Sequence, residues 1–137
     1  MSQRRRSREV ALQILFEDDV NTRGSVAELE QFLSGRLNNP EAETFARDLI
    51  LGVRRNQEGI DEKIGQIADN WSVKRMAGAD RNVLRLATYE VLHTDTPFAV
   101  AVNEAIELAK RFGSAQSGAF VNGILDKLRA HGEGGGE

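Results

Sequence analysis

The sequence predicts an all-α protein that folds as a helical bundle. Along most of the chain, apolar residues recur every three or four positions, which is the spacing of one face of a helix. Turn-forming Gly, Pro, Asn and Ser residues separate these stretches, and none of the stretches shows the alternation of a strand. About seven helices joined by short turns would bury their apolar faces against one another.

The first half of the chain carries four apolar stripes. Ser25 and Glu28 have the spacing of a capping box, in which two side chains satisfy backbone N–H groups at the start of a helix. Pro40 suits the first position of the next helix, where its missing N–H is not needed. We expect a break near Gly59 and a separate helix after it. The predicted helices cover residues 7–19, 25–37, 40–53 and 60–71.

Three further stripes follow a junction at Gly78. Pro97 ends the first of them, and Gly113 occupies the position just after a helix end, which favours glycine. Ser114 is suited to cap the last helix, because its hydroxyl can accept from a free backbone N–H. These helices are expected over residues 83–92, 102–112 and 114–128.

Length and composition limit the possible function classes. The 137 residues suffice for one domain, which we place at 1–131, followed by a disordered tail of Gly and Glu at 132–137. The absence of Cys excludes disulfides and a cysteine nucleophile, and His93 and His131 alone supply a metal or acid–base centre poorly. The apolar runs are too short for a membrane span and the N-terminus does not resemble a signal peptide, so we expect a cytoplasmic protein.

Residues 1–8 form a basic N-terminal arm on an otherwise acidic chain. They carry four arginines and no acid, and because the formal net charge of the whole chain is −3, the remaining residues sum to −7. Such a segment is typical of nucleic-acid binding, although a solvated helix start gives the same pattern. Positive charge at a helix N-terminus opposes the helix dipole, and this conflict favours a functional role. The arginines are Arg4, Arg5, Arg6 and Arg8.

Several motifs, taken in order and at consistent spacing, resemble the NusB family. They are RRRSREVALQ from Arg4, FARDLILGV from Phe45, VLRLATYE from Val83, PFAVAVNEAIELAK from Pro97, FG from Phe112 and FVNGILD from Phe120. A single apolar helix would be weak evidence, whereas these motifs together and in register are specific. The resemblance covers about residues 4–128, and within it residues 24–43 match only in being helical.

The resemblance implies a fold of two three-helix bundles and a role in transcription antitermination, especially on ribosomal RNA operons. NusB-like proteins bind the boxA element of nascent single-stranded RNA together with NusE, which is also a small-subunit ribosomal protein, in the RNA polymerase antitermination complex. The resemblance implies neither catalysis nor a cofactor. Relatives occur as monomers or as homodimers, and both states remain open here.

By the same resemblance, the RNA site begins with Arg4, Arg5, Arg6 and Arg8. Guanidinium groups suit this task, because they donate bidentate hydrogen bonds to phosphates and stack on unpaired bases. Gln13 lies on the polar side of the same helix and could read a base edge.

A second RNA site, which we call the C-terminal patch, is implied at the start of the last helix. Its aromatic ring could stack on a splayed base, but Phe120 also fits the inward stripe, and core packing is the favoured interpretation. Gly123 is unusual inside a helix, and close approach of RNA or of another helix would explain it. The patch comprises Gln116, Ser117, Phe120, Asn122 and Gly123.

For the protein partner NusE, the resemblance points to Phe16 and Asp80. Phe16 stands where the family often has Tyr, so a hydroxyl is missing, and Asp80 stands where a longer Glu is common. Asp80 is also accounted for by a helix start, where acids are favourable without any partner.

Two other polar pairs invite alternatives. Glu104 and Glu107, which follow Asn103, share a helix face, but without a neighbouring His or nucleophile they do not favour a small enzyme. Arg85 and Tyr89 are expected to form a buried or half-buried structural link. The remaining alternatives are the RNA-binding domain that precedes certain ribosomal RNA methyltransferases and a helical adaptor in which the arginines are incidental.

Overall fold

The computed structural model describes residues 2–69 and 71–136, with side chains up to residue 130. Within these ranges the chain is helical and contains no strand, which confirms the predicted fold class. No helix in the same ranges is both long and apolar enough to cross a lipid bilayer. The helices are α1 (Gln3–Val20), α2 (Val26–Leu37), α3 (Pro40–Ile67), α4 (Gly78–His93), α5 (Phe98–Phe112) and α6 (Ser117–Gly136), with a 3-10 turn at Val73–Arg75. The side chains of 132–137 lie outside the described residues, and the disorder expected there stays a prediction.

Side-chain caps begin the first three helices. The hydroxyl of Ser25 accepts from the backbone N–H of Glu28 at 3.1 Å, as the capping spacing predicted. Asn39 caps α3 in the same way. Ser2 accepts from the N–H of Arg5, so α1 begins before the predicted residue 7. The arginines of the basic N-terminal arm therefore lie within the first turns of a helix.

The break predicted near Gly59 is wrong, since α3 is a single helix of 28 residues. Val53, Ile60, Ile64 and Ile67 stay in helical phase and are buried, so the apolar stripe continues past the glycine. Gly59 is exposed, and no described atom lies within 4 Å of where its Cβ would be. Its cost is then only the intrinsic preference of about 1 kcal/mol, and the described helices number six rather than about seven.

The helices form two three-helix bundles. The first contains α1, α2 and the beginning of α3, and the second contains α4, α5 and α6. Helix α3 belongs to both, because the carbonyl of Ala42 accepts from Ser7 of α1 near its start, and Asp61 binds Arg85 of α4 near its end. One continuous set of buried apolar residues fills both bundles, with Leu49 and Leu84 fully enclosed.

Polar contacts fix α4 against α1 and α3. Arg85 is buried and donates to Asp61 at 2.7 and 2.8 Å and to Asp19 at 2.8 Å. Burial tends to raise the pKa of Asp19, but hydrogen bonds from Arg85 and Asn82 outweigh it, and the pKa lies below its ordinary value. Tyr89 is also buried and donates to Asp48 instead of contacting Arg85. The expected hydrogen-bonded link between Arg85 and Tyr89 is therefore not found among the described residues, and each side chain instead bonds to a neighbouring helix.

Gly52 permits the close approach of α3 and α4. A Cβ placed on this residue would lie 2.0 Å from Cζ of Tyr89. Because the ring of Tyr89 is buried between the helices, it could not move aside without disturbing the core. Glycine is therefore required at this position by packing.

Candidate nucleic-acid interface

The four arginines at the start of α1 occupy different environments. Arg4, Arg5 and Arg6 lie at the surface or half-exposed, whereas the side chain of Arg8 is only 4% exposed. Position 8 is in helical phase with the buried residues Ala11 and Leu15. Its burial could therefore have been anticipated from the spacing of the core residues.

Arg8 forms a buried ion pair between the two bundles. Its Nε donates to Glu90 at 2.9 and 3.2 Å and its Nη2 donates at 2.9 Å, and the hydroxyl of Thr96 also contacts Glu90 at 3.3 Å. Glu90 is itself buried. The guanidinium of Arg8 is thus used within the protein, and its position does not favour contact with an RNA phosphate.

The other three arginines have looser or more exposed partners. The guanidinium of Arg4 lies over the ring of Phe45, 4.6 Å from its centroid, and has no acidic partner in the described part of the chain. Arg6 approaches Glu9 at 3.4 Å, and Glu9 also accepts from Arg111 at 2.8 Å. The first turn of α1 contains no acid. The carboxylate of Glu9 therefore offsets part of the unfavourable interaction between the arginines and the positive end of the helix dipole.

Arg5 is held by Glu104 of α5. Its Nε and Nη2 donate to the two carboxylate oxygens at 3.1 and 2.6 Å. The hydrogen bond from Arg5, followed by its charge, holds the pKa of Glu104 below its ordinary value, while partial burial opposes the shift. The carboxylate is therefore ionised at neutral pH and binds a cation of the proposed RNA site.

A groove of about 560 Å³ opens beside Arg6 and continues along α1. We call it the Phe16 groove. Its floor is largely apolar, and its rim carries charges of both signs. Gln13 is exposed and lines it, so this predicted base reader shares the groove with Arg6. The lining residues are Arg6, Glu9, Val10, Leu12, Gln13, Phe16, Glu17, Arg36, Ala79, Arg111 and Phe112.

The structure places the two predicted partner residues at one junction between α1 and α4. The side chain of Phe16 is 44% exposed, and its ring edge packs against Gly78, where an added Cβ would lie 2.7 Å from Cε2. Asp80 follows in the first turn of α4, and its Oδ1 is buried with no hydrogen-bond partner among the described atoms. Phe112 is also exposed in the Phe16 groove.

The members of the C-terminal patch differ in exposure. Gln116, Asn122 and Gly123 are exposed, whereas Ser117 is buried and its hydroxyl accepts from the N–H of Ser114 at 2.8 Å. Ser117 therefore shapes the turn before α6 and is not available at the surface. No described atom lies within 4 Å of a Cβ placed on Gly123, so approach of another helix of this chain does not explain that glycine.

Phe120 lies between core and surface. It packs partly against the core, and its ring meets that of Trp71 edge-on at a centroid distance of 5.0 Å. Trp71 is 54% exposed and lies beyond the end of α3 at Ile67, although the helix was predicted to extend to residue 71. The chain beyond α3 instead carries it onto the side of α6, beside the C-terminal patch.

Lys110 provides positive charge between the two predicted RNA sites. It lines a cleft with Arg5 and Glu104 on one side, and its aliphatic stem packs close to Gly118 at the start of α6. The position of Lys110 could not be predicted from the sequence, because only the packing of α5 against α6 brings it there.

The comparisons with known proteins agree with the motifs. The model of the NusB family matches residues 5–130. The transcription antitermination protein NusB of Anaeromyxobacter dehalogenans strain 2CP-1 is 48% identical over 128 residues, covering 93% of this chain and 90% of the relative. The solved structure of NusB from T. maritima is 42% identical, with a TM-score of 0.81 over 93% of this chain and 90% of that one.

The fold is also shared with a more distant structure. A crystal structure of the antitermination factors NusB and NusE in complex with double-stranded RNA superposes with a TM-score of 0.84 over 95% of this chain and 98% of that one, at 24% identity. At this identity the likeness concerns the fold alone. Since the family model and the 48% identical relative both extend over more than nine-tenths of the sequence, from the arginines of α1 into α6, this chain belongs to the NusB family.

Proposed function

We propose that this protein is an RNA-binding transcription antitermination factor that acts in the cytoplasm. The observation that carries the proposal is the group of exposed arginines at the start of α1, beside the Phe16 groove. Arg4 and Arg5 are exposed, and the side chain of Arg6 is 42% exposed. Guanidinium groups bind phosphates well, because their planar N–H donors match two phosphate oxygens at once.

The RNA in this proposal is the single-stranded boxA element of nascent ribosomal RNA transcripts. The arginines would hold its phosphates without reading its sequence. Gln13 is exposed beside them and is suited to a base edge. In the C-terminal patch, the exposed ring of Trp71 extends the surface of Phe120, so that an unpaired base could stack there.

The protein partner in this proposal is NusE, bound at the Phe16 groove within the RNA polymerase antitermination complex. Phe16 and Phe112 expose apolar surface there, and exposed aromatic side chains are common centres of protein interfaces. Asp80 lies in the first turn of α4, close to Gly78 against which Phe16 packs, and its half-buried carboxylate would supply the polar part of the contact. A second copy of this chain could occupy the same groove, and sedimentation of the protein alone distinguishes such a homodimer from a monomer that binds NusE.

The proposal is tested by fluorescence anisotropy with labelled boxA-like RNA and with a scrambled RNA of the same length. The test variant replaces Arg4, Arg5 and Arg6 by alanine and leaves Arg8 intact, because Arg8 is buried in an ion pair. With three phosphate contacts removed, the slope of log affinity against log salt should become less negative by about 2. A control variant replaces two exposed arginines outside the cluster by alanine, Arg23 in the turn after α1 and Arg55 on α3.

Three outcomes would count against the proposal. An unchanged salt slope in the triple variant would exclude the arginines as phosphate ligands. Equal affinity for boxA-like and scrambled RNA, with and without NusE, would exclude selective antitermination. Tight binding of NusE by a protein that binds neither RNA would favour the helical adaptor. In the expected case NusE tightens RNA binding, and RNA tightens NusE binding by the same factor.

A further inference from the structure

The contact between Arg5 and Glu104 occupies one of the two edges from which the guanidinium can donate a pair of hydrogen bonds to a phosphate. Both donors on that edge, Nε and Nη2, point to the carboxylate oxygens. A bidentate phosphate requires two such parallel donors. In the free protein, therefore, Arg5 is already bound to an anion supplied by α5.

The two partners differ in how firmly they are held. The Arg5 side chain is 45% exposed, whereas the Glu104 side chain is 15% exposed. Glu104 also lies 3.6 Å from Nη1 of Arg8, and Arg8 is fixed by its buried pairing with Glu90. If Arg5 turned outward, Glu104 would keep a cation beside it. The exchange therefore leaves no buried charge without a partner, which would otherwise be costly.

We propose that Glu104 competes with RNA phosphate for Arg5. RNA binding then replaces the carboxylate beside Arg5 by a phosphate, and the presence of Glu104 lowers the affinity of the protein for RNA. This inference rests on the proposed function of the arginines as phosphate ligands. A negative charge next to a phosphate site weakens anion binding by Coulomb repulsion. Glu104 also orders the Arg5 side chain, but ordering by a half-exposed ion pair contributes little to binding affinity. The repulsion therefore determines the net effect of Glu104, which is to weaken binding of the phosphate.

The test replaces Glu104 by the uncharged, isosteric glutamine and measures binding of a labelled uridine oligonucleotide and of inorganic polyphosphate at low salt. We expect Glu104→Gln to bind both about three- to tenfold more tightly, with a smaller gain as salt screens the charge. The matched control is Glu107→Gln, one helical turn further along α5. Glu107 lines the same cleft without bonding to Arg5, and its replacement should change affinity less than about twofold by screened Coulomb interaction alone.

A double-mutant cycle with Arg5→Ala identifies the mechanism. The gain from Glu104→Gln should disappear when Arg5 is absent, because the exchange then no longer exists. A gain that persists without Arg5 would show a general effect of charge and overturn the inference. Weaker binding by Glu104→Gln would show that Glu104 presents Arg5 to the RNA, and would also overturn it.

Two further measurements separate this inference from the proposed function. Polyphosphate has no bases, so the gain with polyphosphate would survive even if preference for boxA-like RNA were absent. Failure of polyphosphate to bind any variant would overturn the inference directly. In the wild-type protein, polyphosphate should shift the NMR signals of the Arg5 Nε–H group and of the Glu104 carboxyl carbon. Unchanged signals at saturation would contradict the exchange without relying on a variant that folds.

Discussion

Replacing Arg8 by alanine would leave the carboxylate of Glu90 buried without its cation. Both side chains are nearly inaccessible, at 4% and 2%, and the remaining hydrogen bond to Glu90 from a side chain of the described residues is that of the Thr96 hydroxyl. Removing one member of a buried ion pair costs about 3–5 kcal/mol. We therefore expect Arg8→Ala to lower the free energy of unfolding by about 4 kcal/mol.

The measurement is urea unfolding at neutral pH, followed by circular dichroism, with a thermal melt as a second readout. For a domain of this size the expected loss lowers Tm by roughly 15 °C. Arg4→Ala serves as the control, because its exposed guanidinium only covers the ring of Phe45 and should contribute less than about 1 kcal/mol. The double variant Arg8→Met with Glu90→Leu should recover most of the stability, since a buried ion pair can often be replaced by apolar residues.

An Arg8→Ala variant as stable as Arg4→Ala would refute this reasoning. The same set of variants also separates folding from RNA binding. If the double variant of Arg8 and Glu90 binds RNA like the wild type while Arg4→Ala binds more weakly, Arg8 is structural and Arg4 is a ligand. If the double variant is fully stable but binds RNA more weakly than the wild type, Arg8 contributes directly to RNA binding.

Three other predictions follow from the packing and the ionisation of single residues. On α3, Gly59→Ala should raise the free energy of unfolding by about 0.5–1 kcal/mol, whereas Gly52→Ala should lower it by about 1–3 kcal/mol, because the added methyl meets a buried tyrosine ring. Destabilisation by Gly59→Ala, or stabilisation by Gly52→Ala, in urea unfolding would contradict the assigned packing. Burial alone would raise the pKa of Asp19, yet its hydrogen bonds lower it overall, so its stabilising contribution should be present above its ordinary pKa and be lost as pH falls through the lowered folded-state value. Unfolding of Asp19→Asn should therefore depend less on pH between 6 and 3 than that of the wild type, and equal dependence would exclude this contribution. Phe16→Ala should weaken NusE binding at least tenfold while leaving binding of RNA alone within twofold, as calorimetry and anisotropy can check.

Local sequence signals predicted the helices well. The capping pair at Ser25 and Glu28 and the proline at position 40 each begin a helix where expected. The break predicted at Gly59 was wrong, because a glycine on the solvent side of a helix lowers the local helix propensity but leaves the buried apolar stripe continuous. When the stripe continues in phase, packing outweighs the local cost.

The functional site was less accessible from the sequence, because its chemistry depends on contacts between distant residues. The cluster of arginines was evident, but Arg8 is distinguished only by its phase with the core. The partners Glu90 and Glu104 come from other helices, and no local pattern assigns an acid to an arginine. Trp71 likewise has apolar spacing, and only the path of the chain after α3 shows that its ring is exposed.

The unbroken helix α3 links the two bundles mechanically as well as by packing. Because α3 is one continuous helix, a change in its length would displace all of the residues that follow the change, including the second bundle. One residue inserted at exposed Gly59 would turn the distal end by about 100° and advance it by about 1.5 Å. That screw motion would carry Asp61 away from Arg85 and swing the second bundle, with the Trp71 side of the molecule, relative to the arginines of α1. The length of α3 therefore determines the distance between the arginines of α1 and the C-terminal patch, which are the two sites that a single RNA strand would contact in the proposed function.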